Sequence, residues 1–473
     1  MKIYNSLTRK KDDFLPLENG KIGMYVCGPT VYDEPHIGHA RSAYIFDIIR
    51  RYFEYKNYEV KFVRNVTDVD DKIIDKAKKV LKSQAQGAGL VEATKEISKK
   101  YLDSYHHDMD LLGIRKPDAE PKATEYIQKM IKFIELLIER GAAYSSGGDV
   151  YFDIKKAKDY GKLSNQNLEK MEVGARIAPG EKKKDPLDFA LWKTAKEGEP
   201  SWQSPWGLGR PGWHIECSVM SSDILGDQFD IHGGGIDLIF PHHENEIAQS
   251  EGAGKKFARY WIHNGLLTID SEKMAKSLGN FISIKDFMAT YKDPDYLKLL
   301  FLNTHYKHPV DYTKEKIEEM KSQKERFVIL FKKMDEILIG HKCSSKLVTG
   351  AEKFEEAMDD DFNTPLALAS LFDAVTFANK YIYSRNSFGQ DEKNVICEMR
   401  NNISALGKVL GLELDKNMSG DVDNEHIKKL IKERNEARIA RDFKKSDEIR
   451  KKLSDMDIIL EDTKDGTTWR KKI

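Results

Sequence analysis

The chain has 473 residues, several domains' worth by the usual size of a domain and enough to bury more than one core. Its 77 basic and 77 acidic residues give a formal net charge of zero, which excludes a global attraction to nucleic acid and confines any RNA contact to local patches. The N-terminus lacks the apolar segment of a signal peptide, and no stretch is long and apolar enough to span a bilayer. We therefore expect a soluble, cytoplasmic protein.

Only four cysteines occur, at positions 27, 217, 343 and 397, too sparse for a disulfide framework. Buried free cysteines are common in proteins, so a cysteine by itself is weak evidence of a metal site. Cys343 and Cys397 lack any partner pattern. We expect these two to be ordinary residues.

The first informative stretch predicts a strand, a turn and a helix. Ile22 to Val26 is an apolar run typical of a buried strand, residues 27–29 break it, and Ala43 to Ile49 has the pattern of a helix. This order is the phosphate-binding geometry of an open α/β sheet. His36 and His39 lie in the turn, where two imidazoles beside a helix N-terminus suit an anion whose charge grows during a reaction. A pair of buried histidines satisfied by backbone hydrogen bonds is the alternative.

The middle of the chain alternates between strand and helix patterns. Residues 59–66 predict a strand, and the Thr and Asp residues after it could cap a helix that starts near Lys72. Leu90 to Arg140 is helical and charged, and it has the character of an insertion between two halves of a nucleotide-binding sheet. Ala142 to Ile154 predicts a hairpin.

Further along, a helix is predicted to start near His214, Asp230 to Gly235 predicts a strand with a flexible turn, and a helix is predicted from about Pro241. On this last helix His242 and Glu246 are four apart and share a face, whereas His243 is predicted to point elsewhere.

Four side chains from separate parts of the sequence could form a metal site. If the sheet brings Cys27 and Cys217 to His242 and Glu246, two thiolates, an imidazole and a carboxylate give zinc the S, N and O donors that it accepts in a tetrahedron. Spacing alone makes this a weak hypothesis, because the two cysteines lack the CxxC pattern.

Two short motifs resemble the signatures of class I aminoacyl-tRNA synthetases. Residues 36–39 are HIGH in one-letter code, and residues 273–277, KMAKS, resemble the KMSKS loop. Other segments resemble cysteinyl-tRNA synthetases, and together they spread over essentially the whole chain. They are YVCGPTVYD at 25–33, NVTDVDDK at 65–72, GWHIECS at 212–218, DIHGGG at 230–235 and FPHHENEIAQS at 240–250.

The resemblance implies a reaction in two steps. Cysteine attacks the α-phosphate of ATP to give cysteinyl-adenylate and pyrophosphate, and the cysteinyl group then passes to the 3′ end of tRNA(Cys). In that family the positions matching Cys27, Cys217, His242 and Glu246 bind zinc, and we expect one ion per chain. A pocket shaped for cysteine excludes serine poorly by size, whereas zinc prefers a thiolate to a hydroxyl, so selection can be made without an editing domain.

The resemblance also assigns the nucleotide site. His36 and His39 would support the α-phosphate transition state, and Lys273 and Lys276 would neutralise the departing pyrophosphate, so all four are predicted to be catalytic and ATP-binding. Mg²⁺ is expected with ATP. Ala275 stands where the family more often has serine, which puts a hydroxyl contribution there in doubt but leaves the lysines unaffected.

The amino-acid pocket is assigned in the same way, because Gly28, Thr67, Trp213 and His232 match family positions that line it. A core or loop-anchoring aromatic is the alternative for Trp213. At the C-terminus, Trp469 and Arg470 could stack on an unpaired base of tRNA.

The expected fold is an α/β, Rossmann-like parallel-sheet catalytic domain with an inserted domain, followed by an α-helical bundle and a small α+β C-terminal module. Helices are predicted at 287–301, 315–339, 351–358, 365–383, 392–410, 427–440 and 443–453. The expected divisions are 1–112 and 201–255 (catalytic halves), 113–200 (insertion), 256–311 (KMSKS region), 312–416 (bundle) and 417–473 (anticodon module).

The expected partners are ATP, L-cysteine and tRNA(Cys), with no membrane and a monomeric chain. Two other functions are alternatives. A cysteine ligase that uses an amino sugar as acceptor would share the zinc and ATP sites but lack the C-terminal module. A non-enzymatic, zinc-dependent RNA-binding protein would have no need of both nucleotide signatures.

Overall fold

The structure is a computed structural model of the chain. It describes residues 1–83, 89–166, 182–274, 279–343, 350–415, 424–440, 442–455, 458–463 and 466–471. Within these ranges, none of the helices combines the length and apolar character needed to cross a bilayer. The cytoplasmic location stays a prediction.

The strands in chain order are β1 (Lys2–Asn5), β2 (Lys10–Asp13), β3 (Lys21–Val26), β4 (Glu59–Arg64), β5 (Ala143–Ser146), β6 (Asp149–Phe152), β7 (Phe189–Thr194), β8 (Gly209–Pro211), β9 (Phe229–Gly235), β10 (Ala258–Asn264), β11 (Leu267–Ile269), β12 (Glu272–Lys273), β13 (Val310–Tyr312), β14 (Ile458–Thr463) and β15 (Gly466–Lys471). The α-helices are α1 (Ile37–Tyr55), α2 (Asp71–Ser83), α3 (Leu90–Leu111), α4 (Ile127–Glu139), α5 (Trp213–Leu225), α6 (Glu244–Gly252), α7 (Ile284–Tyr291), α8 (Pro294–Leu302), α9 (Lys314–Ile337), α10 (Glu352–Asp359), α11 (Thr364–Tyr383), α12 (Gln390–Val409), α13 (Asn424–Ile439) and α14 (Phe443–Asp455).

A four-stranded parallel sheet with the order β10-β9-β3-β4 organises the first half of the chain. From β3 the chain passes through α1 to β4 on one side, and from β9 it passes through α6 to β10 on the other side. The order of the strands therefore reverses between β3 and β9. In open sheets of this kind ligands bind at the carboxyl ends of the strands beside such a reversal.

The predicted strands at 22–26, 59–66 and 230–235 correspond to β3, β4 and β9, and the fold confirms the parallel sheet. Helix α1 is longer than the predicted 43–49, because His36 caps its first turn and the helix begins at Ile37. Buried side chains of α1, among them Phe46 and Phe53, pack with Met24 and Ile231 of the sheet in one core.

Between β4 and β9 the chain forms helices α2 to α5 and a separate antiparallel sheet, β5-β6-β7-β8, of which the predicted hairpin at 142–154 is one half. Strand β10 lies after residue 255, where the second catalytic half was expected to end, and pairs with β9. The parallel sheet thus continues into the region predicted to carry the KMSKS loop.

Two further predicted helices differ from the structure. The single helix expected at 287–301 is two helices, α7 and α8, because Lys292 adopts a left-handed conformation (φ 59°) and Asp293 caps a new helix with Pro294 in its first turn. The helix expected from Pro241 is α-helical only from Glu244, and residues Ile239–His243 form a π-type turn before it.

The prediction that Cys343 and Cys397 are unpaired is wrong, because the structure joins them in a disulfide with their Cα atoms 5.7 Å apart. The two residues are 54 positions apart in the sequence. Cys397 lies on α12, which packs against α9, and Cys343 follows α9, so the pairing depends on helix packing that no local pattern encodes.

The C-terminal half is helical. Strand β1 connects this half to the catalytic half, because Asp361, just after α10, donates its backbone N–H to the carbonyl of Lys2 (2.9 Å) and accepts the N–H of Tyr4 at Oδ1 (2.7 Å). Helices α13 and α14 and the β14–β15 hairpin share a small core of their own, which includes Ile431 and Leu453.

Candidate active site and metal centre

The HIGH segment forms the cap of α1. Nδ1 of His36 accepts the backbone N–H groups of Gly38 (3.1 Å) and His39 (3.3 Å), and Nδ1 of His39 accepts the N–H of His36 (3.2 Å). Both Nδ1 atoms are therefore acceptors, which assigns the proton of each neutral ring to Nε2. The rings stack with centroids 3.7 Å apart. The backbone hydrogen bonds of the alternative interpretation are therefore present, and they involve Nδ1 of each ring.

His39 is a neutral imidazole at physiological pH. Loss of water around the ring, with the neighbouring charges of His36 and Lys72, lowers the pKa of His39 to about 3. Both rings keep some contact with solvent. The pair consequently offers polar N–H donors beside the positive end of a helix, an arrangement suited to a phosphate oxygen.

The second signature lies against the first. A Cβ atom built on Gly38 would be 3.4 Å from Cε of Met274, which is the second residue of the KMAKS segment. Beyond the loop, Ile37 donates its N–H to the carbonyl of Ile282 (3.2 Å), so the chain leaving the loop is hydrogen-bonded to the start of α1.

Of the two signature lysines, Lys273 ends β12 with an exposed side chain, and Asn280 donates to its carbonyl across the base of the loop (3.2 Å). Lys276 and Ala275 lie outside the described residues. The two motifs, more than 230 positions apart, meet at one place.

The predicted metal ligands come together at the end of β3. Sγ of Cys27 lies 3.6 Å from Sγ of Cys217 and 3.6 Å from Oε1 of Glu246, and Nε2 of His242 lies 3.1 Å from the same Oε1. One donor atom from each of these four residues lies within 4.8 Å of every other. Both cysteines are free thiols.

His243 does not point elsewhere, as the sequence predicted. Its Nε2 lies 3.3 Å from Sγ of Cys27, and it forms a second possible ligand set with Cys27, His232 and Glu246. The prediction considered only the pair of His242 and Glu246, four residues apart. His243 is three residues before Glu246 and has helical backbone angles, so it faces Glu246 as well. Its Nδ1 is hydrogen-bonded to Nε2 of His263 (2.8 Å).

The donor set fits a zinc ion. With ligand distances of about 2.0–2.3 Å, tetrahedral zinc places its donors about 3.3–3.8 Å apart. The separations of Cys27 from Cys217 and Glu246 (3.6 Å each) and of His242 from Glu246 (3.1 Å) are close to this range. Burial raises the pKa of both thiols and of Glu246 and lowers the pKa of His242. Buried thiolates and a buried carboxylate need a compensating positive charge, which a divalent cation supplies.

Three of the residues predicted to line the amino-acid pocket, Gly28, Trp213 and His232, lie beside this cluster. Gly28 donates its N–H to Oδ1 of Asn65 (2.9 Å), and a Cβ there would lie 1.6 Å from the Asn65 carbonyl, so only glycine fits. Trp213 stacks on His242 with centroids 4.1 Å apart and is 38% exposed, which rules out a core role. Nε2 of His232 lies 2.8 Å from Oε2 of Glu246.

Sequence reasoning missed two residues of this region. Glu216 is buried and accepts the Thr67 hydroxyl at 2.6 Å, and Asn65 connects Gly28 to Cys217, whose Sγ lies 3.6 Å from its Oδ1. Asn65 belongs to the NVTDVDDK motif and Glu216 belongs to the GWHIECS motif, so membership of these motifs is the signal that could have identified them.

The residues predicted to contact tRNA lie on β15. Trp469 is partly exposed, and Nζ of Lys332 on α9 lies 5.8 Å from its ring centroid. Arg470 is on the same strand, and its side chain lies outside the described residues.

Comparison with known proteins agrees with this geometry. Residues 13–322 match the family model described as tRNA synthetases class I (C) catalytic domain, residues 353–415 match the DALR domain, and residues 424–470 match the cysteinyl-tRNA ligase anticodon binding domain. A Mycobacterium tuberculosis methionyl-tRNA synthetase, solved with methionyl-adenylate, superposes with a TM-score of 0.60 at 15% identity, over 82% of this chain and 89% of that one.

The fold is therefore that of a class I tRNA synthetase, with a parallel sheet and a helical C-terminal region. Curated relatives show which family within this class the chain is similar to. The cysteine–tRNA ligase of Bacillus velezensis is 48% identical over 99% of each chain, and that of Finegoldia magna is 48% identical over 100% of each. The chain belongs to the cysteine–tRNA ligase family.

Proposed function

We propose that this protein activates L-cysteine with ATP to cysteinyl-adenylate and transfers the cysteinyl group to the 3′ end of tRNA(Cys). One observation carries the proposal: the cluster of sulfur, nitrogen and oxygen donors begins at Cys27, at the end of β3, and the helix that follows this strand begins with His36 and His39. A site for a thiol substrate and a site for phosphate thus adjoin on one strand–turn–helix unit.

Cys27, Cys217, His242 and Glu246 would hold one zinc ion. When bound, the zinc supplies a Lewis acid that prefers the thiolate of cysteine to the hydroxyl of serine. The chain itself excludes water from the site by burial, since Cys217, His242 and Glu246 are each at most 1% exposed. His232 fixes one oxygen of Glu246, which leaves the other directed to Cys27 and His242.

ATP would bind between the two signatures. His36 and His39 offer Nε2 donors to the α-phosphate, and Lys273 and Lys276 are assigned to the departing pyrophosphate, with Mg²⁺ carried by the nucleotide. Support for the first pair comes from the caps that fix both rings and from the proximity of Met274, whose Cε would lie 3.4 Å from a Cβ atom at Gly38. The chemistry then depends on positioning and charge stabilisation.

The cysteine substrate would lie against Gly28, Thr67, Trp213 and His232. The missing side chain at Gly28 lets its backbone pack against the Asn65 carbonyl, and the Thr67 hydroxyl is held in place by Glu216. Trp213 covers His242 from the solvent side. These contacts would fix the amino acid while its carboxylate meets the α-phosphate.

We assign tRNA to the C-terminal half, with Trp469 and Arg470 as base-stacking contacts, and we keep the predicted domain divisions and a monomeric chain as working proposals. The one adjustment is that the second catalytic half includes β10, because this strand pairs with β9. The match to an anticodon-binding family model over 424–470 supports the assignment of the last division.

The test is cysteine-dependent exchange of pyrophosphate into ATP, followed by charging of tRNA(Cys). We expect exchange with cysteine and little with serine. Exchange without charging would point instead to a ligase with another acceptor, and zinc-dependent RNA binding without exchange would contradict the proposal.

The variant Cys27→Ser tests the metal assignment, with Cys343→Ser as the matched control because it removes a sulfur outside the cluster. Cys27→Ser should lower the zinc content well below one ion per chain and reduce exchange by at least about tenfold, since loss of one ligand weakens a zinc site strongly. Cys343→Ser should keep both. Full zinc and full exchange in Cys27→Ser would contradict the assignment.

A further inference from the structure

A cavity whose lining mixes apolar and charged side chains lies away from the proposed active site, between α3, the end of β4 and the segment that follows α3. Its volume is about 140 Å³, far above the roughly 10–15 Å³ that one water needs, so it has room for a group of several atoms. The lining includes Arg64, Tyr105, His106, Arg115, Lys116 and Glu120.

Arg64 is a buried cation without a counter-ion among the described residues. The residue is 4% exposed. Its Nη1 forms a long hydrogen bond to the Tyr105 hydroxyl (3.4 Å), and its Cζ lies 5.1 Å from the centroid of the Phe62 ring. Its buried Nη2 has no hydrogen-bond partner, and none of the described carboxylates forms an ion pair with it. A buried charge in this state is costly unless an anion compensates it.

The other charged groups of the cavity are already paired. Glu120 accepts from His106 (2.7 Å), and Lys116 lies 3.7 Å from Asp110 at the mouth. The carboxylates around the cavity are thus engaged by other groups and do not neutralise Arg64.

Arg115 donates to Asp47 (2.9 Å) and to Glu54 (2.6 Å), yet its own Nη2 is buried and lacks a partner in the part of the chain that the structure describes. Two guanidinium groups thus line one cavity, each with an unused donor. Guanidinium N–H groups match the oxygens of carboxylates and phosphates in geometry and charge.

We propose that this cavity binds a small oxyanion, a phosphate or a carboxylate, held by Arg64 and Arg115. The inference is independent of the synthetase reaction, since neither residue belongs to the proposed ATP, cysteine or zinc sites. Arg64 is nevertheless followed directly by Asn65, which contacts Gly28 and Cys217, so an occupant of the cavity would lie one residue behind the amino-acid pocket.

The test is calorimetric titration of the full-length zinc-loaded protein, with the active site saturated by a non-hydrolysable cysteinyl-adenylate analogue. Inorganic phosphate and sodium acetate are titrated separately at fixed ionic strength in chloride. We expect saturable binding at one site, and the probe that binds identifies the anion as phosphate or carboxylate. Wild-type protein that binds neither probe would overturn the proposal.

Arg64→Met should weaken binding by about tenfold or more, the effect of losing a charge-assisted hydrogen bond. Arg259→Met is the matched control, because Arg259 is exposed on β10 and its guanidinium contacts the Leu15 carbonyl, and it should bind as wild type. Equal binding by Arg64→Met and wild type would overturn the proposal.

If Arg64→Met fails to fold, wild-type crystals soaked in selenate supply the readout. An anomalous peak within hydrogen-bond distance of Nη2 of Arg64 would support the site. Ordered water alone at that position would refute it.

Discussion

At the scale of the residue, the two histidines at the start of α1 divide their ring nitrogens between structure and chemistry. Each Nδ1 accepts backbone N–H groups of the cap, and each Nε2 therefore carries the proton of the neutral ring. Asparagine can imitate the first of these nitrogens with its Oδ1, and glutamine can imitate the second with its Nε2. Substitution by asparagine therefore tests the role of Nε2, and substitution by glutamine tests the role of Nδ1.

His39→Asn should keep the acceptor for the N–H of His36 and so keep most of the free energy of unfolding, but it should lower adenylate formation about 100-fold, the usual cost of removing one oxyanion donor. His39→Gln should lose about 1 kcal/mol of stability through the cap while retaining more activity. Pyrophosphate exchange and urea unfolding measure the two effects. Full exchange activity in His39→Asn would contradict the assigned role of Nε2.

The carboxyl group of Asp108 on α3 lies in a buried environment that disfavours its charged form. Its side chain is fully buried, and neither oxygen has a hydrogen-bond partner among the described residues. Burial raises the pKa of Asp108 to about 6, although the charges of Lys285 and His107 oppose the shift. Because the folded state holds this proton up to a higher pH than the unfolded state does, stability from this group is present below pH 3.8 and is lost as the pH rises through 6.

Asp108→Asn removes this titration and should raise the free energy of unfolding at pH 8 by about 1–2 kcal/mol, with a smaller gain at pH 5. Urea unfolding at the two pH values measures it. Asp103→Asn, an exposed position on the same helix, is the control and should change neither value. An equal effect of Asp108→Asn at both pH values would show that the carboxyl group does not titrate in this range.

At the scale of the element, α1 joins the nucleotide motif to the helical half of the chain. Its first turn carries His36 and His39, and side chains farther along contact later helices: Tyr44 donates to the Leu410 carbonyl (2.6 Å) and Tyr52 to Asp359 (2.8 Å). One rigid helix therefore touches both the proposed ATP site and the region assigned to tRNA.

Asp361 also holds the helical half of the chain against the catalytic half, and we call this contact the joint. Substitutions of Asp361 test it. Oδ1 accepts both the N–H of Tyr4 and the hydroxyl of Tyr306 (2.7 Å each), and the residue is left-handed with φ 63°. Asparagine keeps an Oδ1 acceptor and tolerates this conformation, so Asp361→Asn should be nearly neutral.

Asp361→Ala should lower the free energy of unfolding by about 1–3 kcal/mol, because it leaves buried donors without their acceptor. It should also reduce tRNA charging more than pyrophosphate exchange, since the joint connects the two halves. Thermal unfolding and the two assays measure these effects. Equal behaviour of the Ala and Asn variants would mean that the carboxylate plays no part in the joint.

Local patterns predicted the elements well where the structure is set by neighbours in the sequence. The strand, turn and helix around residue 30 follow from an apolar run and a Gly-Pro break, and they place His36 and His39 correctly. The break at Lys292 did not follow, because helical periodicity does not contain a left-handed residue. The direction of His243 was missed although the spacing contained it, because residues three apart also share a helix face.

At the scale of the whole molecule, the contacts that matter most join distant residues. Spacing alone made the Cys27 and Cys217 set a weak hypothesis, because only the pairing of β3 with β9 and the packing of α5 and α6 bring those residues together. The Cys343–Cys397 disulfide is a similar case. The resemblance to cysteinyl-tRNA synthetases identified the four residues of the cluster, whereas no feature of the sequence indicated the disulfide.

The C-terminal module has its own small core, centred on Ile431, Ile449 and Leu453, so its removal should leave the parallel sheet intact. A variant that ends at residue 415 should therefore keep cysteine-dependent pyrophosphate exchange near the wild-type rate while tRNA charging falls at least tenfold. The two assays on the same preparation check this. Unimpaired charging would remove the module from tRNA recognition.

The attachment of β1 to Asp361 also constrains the order in which the protein matures on the ribosome. Tyr4 and its carboxylate partner are 357 residues apart, which corresponds to about 20–70 s of translation at 5–20 residues per second. During that interval the nascent N-terminal strand lacks one of its anchors. The seam between the two halves therefore closes late in synthesis, after the nucleotide-binding sheet has emerged.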